Sequence, residues 1–280
     1  MSGPLVSADW LIKNFYDPNV VILDASQKDN KAGLKTEFEN IQISGARYFD
    51  LANTFSDESS DLPNMLPAPE VFEAECRKMG INAASKIVAY DNLGVYSSPR
   101  VWWMFKIMGH GNVAVLDGGL RAWAKIGGQV ELFHSRTFDR GDFKANYNPA
   151  GVKDVDDIVS NLKTKEAVVL DARSEGRFSG EAPEPRKELP SGHIPGSFNL
   201  PFKRVLNDLQ FRSKDELVTL FRELNLEDRP LIFSCGSGLT ACITLLAAEL
   251  VLENPTSVFD GSWTEWAQSE NLPIANKSTE

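Results

Sequence analysis

Short aliphatic runs alternate with amphipathic stretches along the whole chain. Val20–Asp24 (VVILD), Lys86–Tyr90 (KIVAY), Val113–Leu116 (VAVL), Val168–Asp171 (VVLD) and Leu231–Phe233 (LIF) are apolar almost throughout and of strand length. Strands of that kind belong to parallel sheets covered on both faces, where no side is left to water. The intervening stretches have helical spacing. Ser7 starts one, with Trp10, Leu11 and Phe15 as its apolar face, and Pro67 to Gly80 carries a second that a glycine should stop. Pro99 to Met108 is a third, dense in tryptophan. Ser213-Lys214-Asp215-Glu216 reads as a capping box opening a helix with Leu217, Leu220, Phe221 and Leu224 inward. Thr240 to Glu253 is a further apolar helix, halted by Asn254-Pro255.

The pattern repeats. VVILDAS at Val20–Ser26 returns as VVLDARS at Val168–Ser174, and IQISGARYF at Ile41–Phe49 as GHIPGSFNL at Gly192–Leu200. IVAYDNLG at Ile87–Gly94 returns as LIFSCGSG at Leu231–Gly238, and VLDGGLRAW at Val115–Trp123 as VFDGSWTEW at Val258–Trp266. Four matches in the same order and at nearly one spacing mark a tandem duplication. Residues 1–137 form the first copy and 152–280 the second. Residues 138–151, rich in Asn, Asp, Gly and Pro, read as the linker. The fold class is therefore α/β, with each copy a parallel sheet flanked by helices on both faces.

Ligands of such sheets lie beyond the carboxyl ends of the strands. At that place in the second copy stands Cys235, with Gly236 and Gly238 close behind it. Glycines so placed let successive backbone N–H groups curl around the sulfur, and the following helix adds its positive end. This favours a thiolate nucleophile. The alternative, a cysteine packed at a strand end, leaves the glycines without a purpose. The first copy has Asp91 at the matching position. An aspartate holds no transferable sulfur and repels an anion, so one active site per chain is expected.

Composition adjusts this picture little. The 280 residues are 42% hydrophobic and 24% charged, enough apolar material for two cores. A net charge of −10 argues against nucleic acid or an anionic membrane as partner. No apolar run reaches transmembrane length. Met1 to Asn19 carries two aspartates and no arginine, unlike a mitochondrial presequence, so a cytoplasmic location is expected. Cys76, Cys235 and Cys242 fit neither a zinc pattern nor a disulfide framework. Cys76, Cys242 and the tryptophans Trp102, Trp103, Trp123, Trp263 and Trp266 read as core. His193 reads as structural within its turn, and His110 and His134 as surface residues.

The whole chain resembles the two-domain rhodanese-like sulfurtransferases. Cys235–Cys242, CGSGLTAC, is similar to the CGSGVTAC loop of the branch that uses 3-mercaptopyruvate, whereas thiosulfate-using rhodaneses carry Arg-Lys after the cysteine. MLPAPE (Met65–Glu70), SSPRVWWMF (Ser97–Phe105), GRF (Gly176–Phe178), EPR (Glu184–Arg186), GHIPG (Gly192–Gly196) and DGSW (Asp260–Trp263) also resemble that family. The resemblance implies a Cys235 persulfide, a thiol acceptor such as thioredoxin, and no metal or cofactor. It implies that Gly236, Gly238, Leu239 and Thr240 cradle the sulfur, with Arg177 and Arg186 on the substrate carboxylate. From the residues alone, either arginine reads as a solvated surface charge, and it is the motif match that turns the reading to substrate binding. Ser237 occupies the position of a loop serine thought to relay a proton with a histidine; a turn-forming role is the alternative. Gln42 stands at the histidine of the first HIPG-like turn, which puts that relay in doubt. Thiosulfate is the competing donor, but the uncharged Gly236-Ser237 pair suits a small keto acid better. A phosphatase of related fold would need arginine where Ala241 stands, and a non-catalytic binding module would not need Cys235.

Overall fold

The structure, a computed structural model, describes residues 1–277 apart from Ser2, Asp29 and Lys31. It divides into two units. One comprises Met1–Ser59, Leu66–Asn148 and Asp208–Phe211; the other comprises Ser60–Met65, Pro149–Asn207 and the chain from Arg212 onward.

The first unit contains β1 (Leu5–Val6), α1 (Ala8–Asn14), β2 (Val20–Asp24), β3 (Ile41–Ile43), β4 (Arg47–Tyr48), α2 (Pro69–Lys78), β5 (Lys86–Tyr90), α3 (Ser98–Ile107), β6 (Val113–Leu116), α4 (Gly119–Lys125) and β7 (Val130–Leu132). Five of its strands form a parallel sheet in the order β1-β6-β5-β2-β4. Burial on both faces explains why β5 and β6 read as unbroken apolar runs. One cluster packs Leu11, Ile22, Val88 and Trp123 together. Another is aromatic, with Phe72, Phe105 and Phe143 at ring separations of 5.0 to 5.8 Å.

Phe143 comes from the segment read as a linker. Here it is fully buried, and the Arg77 Nε donates to its carbonyl at 2.7 Å. This aromatic cover also corrects the expectation for His110, which is not a surface residue. His110 lies 5.8 Å from Phe105 and 5.7 Å from Phe143, with Nε2 against the Ser85 carbonyl at 2.9 Å. Burial lowers its pKa below the usual histidine range. His134 is exposed, as expected.

The second part of the chain adds β8 (Val152–Lys153), α5 (Val155–Thr164), β9 (Val168–Asp171), α6 (Glu175–Ser179), β10 (Phe198–Asn199), β11 (Leu206–Asn207), β12 (Gln210–Phe211), α7 (Lys214–Arg222), β13 (Leu231–Ser234), α8 (Ala241–Glu249), β14 (Thr256–Phe259) and α9 (Ser262–Gln268). The sheet of the second unit, β8-β14-β13-β9-β10, is again parallel and copies the first strand for strand. The capping box at Ser213 forms in both directions, Ser213 Oγ accepting from Glu216 N and Glu216 Oε2 from Ser213 N. Helix α8 is buried nearly all round, which explains its lack of a polar face. It ends at Glu249, short of the proline, and beyond it the Asn254 side chain donates to the Glu227 and Arg229 carbonyls. Among the described residues, no helix is long and apolar enough to cross a membrane.

Candidate active site

The strand β13 is the middle strand of its sheet, and Cys235 follows it directly, 2% exposed. The loop behind it is strapped down by the start of α9. Trp263 N donates to the Cys235 carbonyl at 3.0 Å, and Thr264 N and Oγ1 donate to the Gly236 carbonyl at 3.0 and 2.6 Å. Ser262 Oγ accepts from both Cys235 N (3.2 Å) and Gly238 N (3.1 Å) and donates to the Phe259 carbonyl. Ser262 holds this place with φ at 52°, a left-handed conformation that costs a serine about 1 kcal/mol.

These bonds divide the loop donors into two groups. Among the described residues, the N–H groups of Gly236, Ser237, Leu239 and Thr240 have no protein acceptor. Gly238 corrects an expectation: its N–H is taken by Ser262, so it is no cradle donor. Its contribution is the turn, at φ 72°, that reverses the loop.

The first copy has the same loop in a filled state. Asp91 follows β5, fully buried. Its Oδ1 accepts from Leu93 N, and its Oδ2 accepts from the N–H groups of Tyr96, Ser97 and Ser98 and from Ser98 Oγ, at 2.7 to 3.0 Å. Gly94, at φ 96°, makes the turn that Gly238 makes. Leu120 N donates to the Asp91 carbonyl as Trp263 N does to that of Cys235. In the first copy the backbone path thus converges N–H groups on the carboxylate that follows the middle strand.

Arg177, on α6, reaches the cysteine loop. A Cβ built on Gly236 would lie 3.2 Å from Arg177 Nη2, so the absence of a side chain at Gly236 makes room for the guanidinium. Glu184 holds that guanidinium through Nε (3.0 Å) and Nη2 (2.5 Å). Glu184 also takes Arg173 Nη1 at 2.8 Å, while Arg173 Nε and Nη2 lie on the Asp171 carboxylate. Arg173 is fully buried and lies 4.2 Å over the Trp263 ring. Burial opposes its charge, but Asp171 and Glu184 outweigh burial and raise its pKa. The residues Asp171, Arg173 and Glu184 were not singled out from sequence. The only cue was Arg173 itself, which replaces the Ser26 of the first copy. Arg186, half-buried, makes no ion pair with a described carboxylate. Leu239 is buried, and Thr240 caps α8 without a side-chain bond.

Ser237 is half-buried, and Asn64 Nδ2 donates to Ser237 Oγ at 3.0 Å and to the Ser237 carbonyl at 3.3 Å. Gln42 is fully buried in β3 and spends its Nε2 on Glu131 in the neighbouring strand β7. His193 is buried too, stacked on Phe178 at 3.8 Å with Nδ1 against the Phe178 carbonyl. Cys76 and Cys242 are core residues, and all three cysteines are free. Among the described residues, no group of three metal-ligating side chains comes together.

Comparison with known proteins agrees with this architecture. The rhodanese-like domain model matches residues 7–126 and again 154–269. Mouse 3-mercaptopyruvate sulfurtransferase is 40% identical, over 96% of this chain and 94% of its own. The Arabidopsis thaliana protein named thiosulfate/3-mercaptopyruvate sulfurtransferase 2 is 38% identical, over 99% of this chain and 87% of its own. The crystal structure of SseA from Escherichia coli, presented with the rhodanese fold and mechanism of 3-mercaptopyruvate sulfotransferases, superposes with a TM-score of 0.81 at 35% identity. It covers 94% of this chain and 99% of that one. Two matched domains, a duplicated parallel sheet and one cysteine at the end of a middle strand make this chain a member of the rhodanese-like family.

Proposed function

We propose that the chain is a sulfurtransferase that takes sulfur from 3-mercaptopyruvate, carries it as a persulfide on Cys235 and passes it to a thiol. The observation that carries this reading is the contrast between the two loops. The first closes its N–H groups on a carboxylate, and the second leaves Gly236, Ser237, Leu239 and Thr240 unengaged around a cysteine. Such donors stabilise a thiolate, and later the persulfide anion, without a metal.

In the reaction the Cys235 thiolate attacks the substrate sulfur. The S–S bond forms as the carbon–sulfur bond breaks, and its electron pair leaves as the enolate of pyruvate. The proton of the substrate thiol then moves to the enolate carbon, leaving pyruvate and a Cys235 persulfide anion. An acceptor thiolate, in a protein of thioredoxin type, takes the outer sulfur and returns Cys235 to its starting state. The covalent carrier splits one transfer into two easier ones.

The arginines divide the work of binding. Asp171, Arg173, Glu184 and Arg177 balance one another in charge, so Arg177 offers direction more than net charge. Arg186 supplies the uncompensated fork for the substrate carboxylate. The uncharged Gly236-Ser237 pair suits a keto acid over the thiosulfate dianion. Three reduced cysteines support a reducing compartment such as the cytoplasm.

The test is a side-by-side measurement of pyruvate release from 3-mercaptopyruvate and thiocyanate formation from thiosulfate and cyanide. Faster turnover of 3-mercaptopyruvate is expected, with both activities lost in Cys235→Ser. Faster turnover of thiosulfate, or activity surviving that substitution, overturns the reading.

A further inference from the structure

We propose that Asn64 is a positioning residue that sets the polarity of the Ser237 hydroxyl. The inference rests on the reading of Cys235 as the sulfur carrier. Asn64 lies in the short segment Ser60–Met65, which packs with the second unit although it lies within the first copy in sequence. It adopts φ 61°, a left-handed conformation that asparagine tolerates better than most residues.

The direction of its bond to Ser237 is determined by a second bond. The same Nδ2 lies 3.0 Å from Ser237 Oγ and 3.3 Å from the Ser237 carbonyl oxygen. A carbonyl can only accept, so the atom facing it is the amide nitrogen and not the amide oxygen. Ser237 Oγ therefore accepts from Asn64. The hydroxyl proton cannot point at its partner and is left to donate elsewhere. In the reaction, the group that gains acceptor strength is the keto oxygen of the substrate as the enolate forms. Ser237 then stabilises that oxygen by a hydrogen bond and keeps its proton. An amide does not titrate in water, so the arrangement holds across the physiological pH range.

A relay works with the opposite polarity, because a base beside Ser237 must accept from the hydroxyl. The two arrangements are separable by experiment. Asn64→Gly removes the side chain while keeping φ 61° free of strain. Asn64→His installs a titratable ring at a position whose backbone histidine tolerates. The experiment measures kcat and KM for pyruvate release against pH in the unaltered chain, Asn64→Gly, Ser237→Ala, the double variant and Asn64→His. Sulfur uptake by Cys235 is read by mass spectrometry in each.

Ser237→Ala is expected to lower kcat by about a hundredfold, the usual loss for one transition-state donor. Asn64→Gly should lower kcat by about tenfold with little change in KM, as expected for loss of one orienting hydrogen bond. The double variant should match Ser237→Ala to within about twofold, because Asn64 acts only through the hydroxyl. Asn64→His should change the shape of the pH profile, because an imidazole gains and loses a proton in the range where an amide does not. Multiplying effects in the double variant, or superimposable pH profiles for Asn64→His and the unaltered chain, overturn the assignment of Asn64 alone. Absence of sulfur on Cys235 in the unaltered chain overturns this inference together with the reading beneath it.

Discussion

The loops after β5 and β13 are one device in two states. Each follows the middle strand of a five-stranded parallel sheet, turns at a left-handed glycine and enters a helix. In the first, the Asp91 carboxylate collects four backbone N–H groups and a hydroxyl. In the second, Cys235 stands at the same point, and most of the loop donors are free of protein acceptors. The difference teaches that the anion cradle is a property of the backbone path. What makes it a reactive site or a structural joint is one side chain.

A second difference lies beneath the loops. Gly119 and Ser262 occupy matching positions at nearly the same φ, 53° and 52°. A Cβ on Gly119 would lie 2.3 Å from the Asp91 carbonyl oxygen and 2.4 Å from that of Gly94. The second copy has made room for that Cβ and placed a hydroxyl under the cysteine loop. It accepts backbone strain in return for an acceptor that ties down Cys235 N and Gly238 N.

Breaking the filled cradle should have the largest effect on stability. Asp91→Ala strands several buried donors and is expected to destabilise the first unit by about 3–5 kcal/mol, since each buried donor left unpaired costs about 1–3 kcal/mol. Differential scanning calorimetry reads this directly, and pyruvate release below the transition should persist. A loss under about 1 kcal/mol would show that the donors do not depend on Asp91.

Ser262 gives a smaller effect with a diagnostic order. Ser262→Ala keeps the strain and loses the acceptor, at about 1–3 kcal/mol for the donors left unpaired. Ser262→Gly loses the same acceptor but relieves the strain, so it should be the more stable of the two by about 1 kcal/mol. Urea unfolding of both variants checks the order. The reverse order would mean that the φ of Ser262 carries no strain.

The smallest effect concerns the acids that end β2 and β9, the strands beside β5 and β13. Asp171 is held by Arg173, whereas its counterpart Asp24 has Ser26 and Tyr90 as hydrogen-bond partners and feels the Asp91 carboxylate. Burial raises the Asp24 pKa above the usual carboxylate range. The folded state therefore holds this proton to higher pH than the unfolded chain does. Stability from this group is present at acid pH and falls as pH rises from about 4 through the folded-state value. Asp24→Asn should flatten that part of the curve of urea midpoint against pH. An unchanged slope would mean that Asp24 does not titrate in this window.

Much of this comparison was legible in the sequence, because strand periodicity, the repeated motifs and the Cys235–Asp91 pairing are all local in the chain. The capping box at Ser213 and the core tryptophans were legible for the same reason. What was hidden depends on contacts between distant segments. Asn64 lies in a coil with no periodicity, and its bond to Ser237 joins residues far apart in the chain. His110 read as a surface residue because the phenylalanine that covers it, Phe143, comes from a polar stretch that looked like a free linker. Gly238 read as a donor because nothing local says that Ser262 has already taken its N–H. Gln42 aligned with a family histidine by motif, but its side chain is committed to Glu131.

The central claim is that one of two equivalent cradles holds transferable sulfur, and the most direct measurement locates that sulfur. The chain is treated with 3-mercaptopyruvate in the absence of an acceptor thiol, its persulfides are alkylated, and the peptides are mapped by mass spectrometry. The account predicts one added sulfur atom per chain, on the peptide containing Cys235, lost when a thiol is supplied and absent in Cys235→Ser. Added sulfur on Cys76 or Cys242, or pyruvate released with no sulfur on Cys235, would contradict it.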